Sequence, residues 1–515
     1  MFILEGLIDK GPLLSDHGGH MKLRRLLIFF GILLAVILLV AGYVFIDTPK
    51  IALPKKENSV QITLQDNIDW DSLKIELTGI LSDLLQIKTV RQDEVKAALY
   101  MQKILQKEGI ESKLIPHPDR PDKVSLIAEI GPAESDGGLI LLNHLDVVEA
   151  DPKEWSADPF KAEMKNDVIM GRGALDMKGM GAMELVTFLL LNRNQTPLKH
   201  KVMFLATPDE ESGGKYGVQF LLSKHEDLFD GYDYVLNEGG FGIEDFPYKG
   251  DKIFNVQTAE KGILGVDLTA HSDSGHGSMP TADYSSLQMA RAVLELQTFQ
   301  KFKLTDVTTE FFHYLGELFH FPQNFLLQRI QNPIVQKIIG QKLMQNRAMN
   351  AMLANTVSVT KLQTETMGPN VIPSEAKAYL DVRLLPGEDP KAFFSEIQKV
   401  AAKYNVQADM RESYPPTQSS SDTELYGVLY GILKDNVPDA VVTQYLSPGA
   451  TDSRFFREKG FECYGIIPIL IPMEDLAKLH GKNEDISLQN LVLGTKVLFE
   501  TVVGYNQLAG TETNQ

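Results

Sequence analysis

Four groups of polar residues in this chain carry side chains of types able to bind metal, and three of them follow short apolar runs. Residues 139–142 lead into Asn143, His144, Leu145 and Asp146. Residues 202–206 are followed by Asp209, Glu210 and Glu211, and residues 234–236 by Asn237, Glu238, Gly239 and Gly240. A glycine-rich loop from Gly171 to Gly179 adds Asp176. A single acid after a strand is ordinarily a turn former or a helix cap. Four such groups on one edge would crowd negative charge, which is costly unless cations neutralise it. A divalent metal removes that repulsion, and histidine with carboxylates suits zinc or a similar ion. Cys463 is the only cysteine, so an intrachain disulfide and a cysteine-based zinc site are both excluded.

Such groups need a common edge, and the surrounding pattern provides one. Helical periodicity marks 71–85 and 94–107, residues 124–130 read as a strand, and 180–191 form an apolar helical stretch. Strands alternating with helices predict an α/β domain: a mixed, largely parallel sheet flanked by helices. In open sheets of this kind sites form at the carboxyl edge. A second unit begins near Gly262, with strands at 264–270, 356–361, 376–383 and 406–410 and helices at 284–296 and 390–403. That order is βαββαβ, the ferredoxin-like arrangement. It predicts an inserted domain over 262–415, with a first domain divided between 65–261 and 416–511. Extra sequence at 301–352 carries Phe311, Phe312, Leu315, Leu318 and Phe319 at helical spacing. It reads as extra helices packed on the inserted unit; the alternative is an apolar wall facing substrate or membrane.

The chain has 515 residues, enough for two to four domains by the usual prior, and 43% are hydrophobic, so a full core is available. Its net charge of −18 argues against nucleic acid as a partner. Residues 26–46 contain no charge and are long enough to cross a bilayer as one helix, after Lys22, Arg24 and Arg25. The length of the run and the lack of a small-x-small cleavage site predict an uncleaved transmembrane signal anchor. A short tail (1–25) precedes it and a tether (47–64) follows. The basic cluster places the amino terminus in the cytoplasm and the catalytic portion outside it, whether extracellular, periplasmic or lumenal.

The motifs taken together resemble those of the zinc-dependent family that includes aminoacylase, glutamate carboxypeptidase, acetylornithine deacetylase and succinyl-diaminopimelate desuccinylase. The matching residues are His144-Leu-Asp146, Gly171-Arg-Gly-Ala-Leu-Asp176-Met-Lys-Gly179 and Asp209-Glu210-Glu211-Ser-Gly-Gly214. Asn237-Glu238-Gly-Gly240, Gly275-His276-Gly-Ser-Met-Pro280, Asn370-Val-Ile-Pro373 and Leu479-His480-Gly-Lys-Asn-Glu484 complete the set. The anchor and the extra helices look most like a membrane-anchored, carboxypeptidase S-like branch.

That resemblance implies two zinc ions per subunit, with cobalt or manganese as substitutes. Asp176 would bridge them, His144 and Glu238 would complete one site, and Glu211 and His480 the other. Glu210 would be the general base, and Asp146 would orient His144. The inserted domain would act as a lid and dimer interface, with His276 reaching across a homodimer to stabilise an oxyanion. Asn370 and Arg383 would grip a substrate carboxylate, and Gly449 and Thr451 would line the substrate loop. Glu484 would brace the His480 loop, and Asp176-Met177 would be a cis peptide. The activity implied is hydrolysis of an amide next to a free carboxylate, as a carboxypeptidase or dipeptidase does. The alternative is an N-acyl amino acid deacylase. An inactive binding protein on this fold is a remote third reading, because every ligand and the base are present.

Overall fold

A computed structural model describes residues 68–364 and 368–508. The expected tail, anchor and tether lie outside the described residues. Among the described residues no helix is long and apolar enough to cross a membrane.

The main sheet has nine strands and a parallel centre. Val202–Thr207, Gly138–His144, Tyr232–Glu244 and Glu462–Pro472 run parallel in that order. Arg120–Ile130 and Ser112–His117 extend one side in antiparallel fashion. Lys252–Glu260 extends the other, and pairs in turn with Thr417–Gln418 and Ala440–Ser447. Every residue of Gly138–His144 and Val202–Thr207 is buried, as strands covered on both faces must be. Because successive side chains alternate, Leu139 and Leu141 enter one core while Ile140 and Leu142 enter the other. Helices Trp70–Gln86, Lys178–Arg193 and Leu488–Leu508 pack together over the first face. Phe455 and Phe456, with Val218 and Leu221 from helix Val218–Lys224, close the second.

A separate four-stranded antiparallel sheet has the order Thr356–Thr364, Glu375–Leu384, Gly262–His271, Val406–Tyr414. Helices Ser285–Leu296 and Pro390–Lys403 cover one face, so in sequence the unit runs strand-helix-strand-strand-helix-strand. Its core is its own: Leu264, Val266, Leu268, Leu380 and Val382 meet Met289, Leu296 and Ile397.

The extra sequence packs differently from the expectation. Helix Asp306–Leu315 lies against the edge strand Ala440–Ser447, and Phe311, Phe312 and Leu315 join the core of the main sheet. None of these joins the core of the smaller sheet. The cause is the edge strand, whose apolar residues Val442 and Leu446 would otherwise lack cover. A capping box at Thr305 and Thr308 fixes the start of this helix.

Candidate metal centre

His144 stands at the carboxyl end of a central strand and is buried. Its Nδ1 lies 2.9 Å from the carbonyl oxygen of Asp146. Its Nε2 faces Asp176 Oδ1 at 3.0 Å and Glu238 Oε1 at 3.6 Å. The other oxygen of Asp176, Oδ2, lies 2.9 Å from His480 Nε2, which also meets Glu211 Oε2 at 3.1 Å. Asp176 therefore stands between two histidines and offers one oxygen to each. The peptide Asp176-Met177 is cis. Donor atoms of His144, Glu210 and Glu238 lie within 4.8 Å of one another, as do those of His144, Asp176 and Glu211.

These residues fit divalent metal on their own chemistry. The donors are imidazole nitrogens and carboxylate oxygens, and Glu211 Oε1 is buried without a hydrogen-bond partner. The electrostatics agree. Burial pushes the Glu210 carboxyl well above its usual range, and the charge of Glu238 adds to it. Glu238 is raised in the same way, by burial and then by Asp176. Burial opposes a charged His144, yet Glu238, Asp176 and Asp146 outweigh it and push the imidazole well above its usual value. His480 is pushed up to about 10 by its hydrogen bonds to Asp176 and Glu211. Burial works against ionised Asp176, but the two histidines hold its carboxyl below the ordinary range. Metal ions bound here would oppose the upward shifts of Glu210 and Glu238 and favour their ionised forms.

The supports differ in part from the expected ones. Asp146 meets His144 through its backbone carbonyl, with its Oδ1 3.7 Å from the same Nδ1, and its carboxylate takes a further task. Oδ1 accepts the Glu210 amide and Oδ2 the Glu211 amide, both at 3.1 Å. Asp146 thereby positions both glutamates of the turn Glu210–Ser212 as well as the histidine. Glu484 braces the Asp176 loop, and through it the metal cluster. Its carboxylate accepts from Arg172 Nη1 at 2.6 Å and from the amides of Gly173, Leu175 and Asp176 at 2.9, 2.7 and 2.9 Å. Lys178 donates to the carbonyls of Leu84 and Ile87 at 2.9 and 2.7 Å.

Glu238 does not follow a strand end as expected, because the strand Tyr232–Glu244 continues through it. Past Glu238 its neighbours are close: a Cβ on Gly240 would stand 1.7 Å from the Asn255 carbonyl oxygen. Only glycine permits that approach, and the strand goes on to pair with Lys252–Glu260.

The other expected site residues make their hydrogen bonds outside this cluster. His276 is exposed in a two-residue pairing of Gly275–His276 with Val371–Ile372, and its Nδ1 lies 2.8 Å from the Ser278 hydroxyl. Asn370 is exposed and accepts the Gly277 amide on its backbone oxygen at 2.7 Å. Arg383, on the smaller sheet, donates to both oxygens of Asp381 at 2.7 and 3.2 Å. Gly449 is exposed. The Thr451 hydroxyl is buried and donates to Glu260 Oε1 at 2.6 Å, so it is engaged within the protein. Two residues near the centre escaped the sequence reading. Asp452 is buried with Oδ1 unpartnered, and burial pushes its carboxyl up to about 7. Its signal was present, because it ends the Gly449–Asp452 loop. Arg91 lines a cavity of about 480 Å³ with Glu211 and His480. Nothing in its sequence context marks it.

A parallel-centred sheet presenting histidines and carboxylates around one shared aspartate defines an α/β metallohydrolase with a candidate two-metal centre. The chain belongs to peptidase family M20/M25/M40, whose sequence profile matches residues 140–503. It is 30% identical to the N-fatty-acyl-amino acid synthase/hydrolase PM20D1 of Xenopus tropicalis over 69% of this chain and 70% of that protein. It is 26% identical to the probable carboxypeptidase S-like 2 of Dictyostelium discoideum over 85% of this chain and 87% of that protein. Its fold matches that of Sso-CP2, an M20 family metallo-carboxypeptidase from Sulfolobus solfataricus, with a TM-score of 0.62. That match has 20% identity and covers 84% of this chain and 99% of the other.

Proposed function

We propose that this protein hydrolyses an amide next to a free carboxylate, in the manner of a carboxypeptidase or dipeptidase, at a centre of two zinc ions. The observation that supports this most strongly is Asp176, with one oxygen on His144 and the other on His480. His144 and Glu238 would hold one ion with it, and Glu211 and His480 the other. Divalent cations there would lower the pKa of a shared water and draw electron density from the amide carbonyl. Glu210 stands beside Glu238 and His144 as the proton carrier. It takes a proton from the attacking water and delivers it to the leaving nitrogen. Asp146 sets the direction of Glu210 and Glu211 through their amides.

The smaller sheet serves as a lid that carries Asn370 and Arg383 toward the substrate carboxylate. Release of Arg383 from Asp381 frees a planar fork suited to that anion. His276, exposed in its own chain, would serve the centre of a second copy. Residues 26–46 anchor the chain in a bilayer with the catalytic part outside the cytoplasm. Detergent-dependent extraction of the full chain, lost when residues 1–47 are deleted, tests the anchor; sedimentation tests the dimer.

A second reading, an N-acyl amino acid deacylase, is favoured by the relative named as an N-fatty-acyl-amino acid synthase/hydrolase. Both readings share the centre and differ in the acyl pocket. A panel of dipeptides and N-acyl amino acids, with zinc-loaded protein, separates them. Turnover of esters or phosphates alone would refute both.

A further inference from the structure

We infer that Arg91 binds a carboxylate of the substrate in the cavity beside Glu211 and His480. This rests on the amide-hydrolase reading above and adds to it a specificity residue.

The cavity, about 480 Å³, is lined by Arg91, by the stretch from Asp146 to Glu149, and by Glu211 and His480. It opens directly on the cluster. Arg91 is its only basic wall residue other than His480. The Arg91 side chain is 76% exposed, and its ion-pair contact is Glu149 at 3.6 Å, itself 70% exposed. That separation exceeds a hydrogen bond, and an exposed pair of this kind holds its partners weakly. The fork of Arg91 is therefore available, whereas Arg383 is engaged at both ends of its fork by Asp381.

The backbone under Arg91 is fixed relative to the metal cluster. Thr89 Oγ1 donates to the Leu145 carbonyl at 2.7 Å, and the Val147 amide donates to the Thr89 carbonyl at 3.2 Å. Lys178, two residues after Asp176, donates to the Ile87 carbonyl at 2.7 Å. The segment before Arg91 is thus tied to both the His144 strand end and the Asp176 loop. Arg91 itself adopts a left-handed backbone, φ 57°, which a non-glycine residue rarely takes. A guanidinium on an anchored backbone, lining the cavity beside Glu211 and His480 in a chain of net charge −18, suits planar anions.

The test uses the metal-loaded full chain and two substrate pairs. N-glutaryl-phenylalanine against N-valeryl-phenylalanine varies a carboxylate on the acyl side. N-valeryl-phenylalanine against its primary amide varies it on the amine side. Arg91→Ala should raise KM about tenfold for the acid of one pair, with kcat changed less than about twofold, and leave the member of that pair lacking the varied carboxylate unaffected. Arg91→Lys should restore part of the loss. The pair that responds says which end of the substrate enters the cavity. Calorimetry with glutarate and phenylalanine should show weakened binding of the matching acid. If Arg91→Ala leaves both acid-to-neutral ratios and both acid affinities unchanged, the assignment is wrong. If the wild type hydrolyses none of these substrates, the deacylase reading falls, and the calorimetry still decides the role of Arg91.

Discussion

Replacing Glu484 by glutamine should damage both the stability of the protein and its hold on metal. Glu484 is fully buried, and four donors converge on its two oxygens. Oε2 accepts from Arg172 and Gly173, and Oε1 from Leu175 and Asp176. A glutamine keeps one oxygen and puts an NH2 group where two donors already point. Breaking a buried ion pair from one side costs about 3–5 kcal/mol, because the other charge stays buried. Glutamine keeps two of the hydrogen bonds, so we expect a loss of about 3 kcal/mol in urea unfolding of chelator-treated protein. The same loop carries Asp176, so metal affinity should fall about 10–100-fold, as for other lost outer partners. The double change Glu484→Gln with Arg172→Met removes the stranded cation and should lose less stability than Glu484→Gln alone. A Glu484→Gln protein within about 0.5 kcal/mol of the native one, with unchanged metal affinity, would refute the argument.

Other outcomes follow from the same geometry. Glu210→Gln should lower kcat by about 10²–10⁴-fold while metal analysis shows the native content; near-native turnover would remove Glu210 as the base. Glu310 is buried, and burial pushes its carboxyl up to about 7 despite the hydrogen bond from Gln444 at 2.6 Å. The folded state then holds a proton that the unfolded state releases near pH 4.5, so this contribution to stability is full in acid and lost as pH rises through 7. Glu310→Gln should flatten that dependence and gain about 2 kcal/mol at pH 8, read by denaturant unfolding at pH 5 and pH 8. Cys463 is fully buried, and burial pushes its thiol up to about 12. It should resist a disulfide reagent in the folded protein at pH 8 and react on unfolding; prompt reaction in the native state would contradict its burial.

Much of the fold was legible because local signals and burial agree. Helix Pro390–Lys403 has the bounds its sequence announces, with Asp389 capping Lys391 and proline at the first turn. Helix Glu94–Lys107 likewise matches its period. The motif residues His144, Asp176, Glu211, Glu238 and His480 do converge. Their supports were less legible. Asp146 lies two residues after His144, and spacing alone does not say which of its oxygens turns to the ring. The strand through Glu238 looked finished at Leu236, because glycines read as turns until a neighbouring strand demands close approach. Helix Asp306–Leu315 announced its apolar face but not what would cover it; the answer, strand Ala440–Ser447, lies more than a hundred residues further on. Arg91 is an exposed cation before a helix, and only the cavity distinguishes it from other surface arginines.

The measurement closest to the central claim is X-ray absorption of the metal-loaded protein, with metal content determined on the same sample. Two ions per chain should appear with a metal–metal vector of about 3.5 Å, and Asp176→Ala should abolish that vector. A single isolated ion, or a vector that survives the loss of Asp176, would contradict the shared carboxylate on which the account rests.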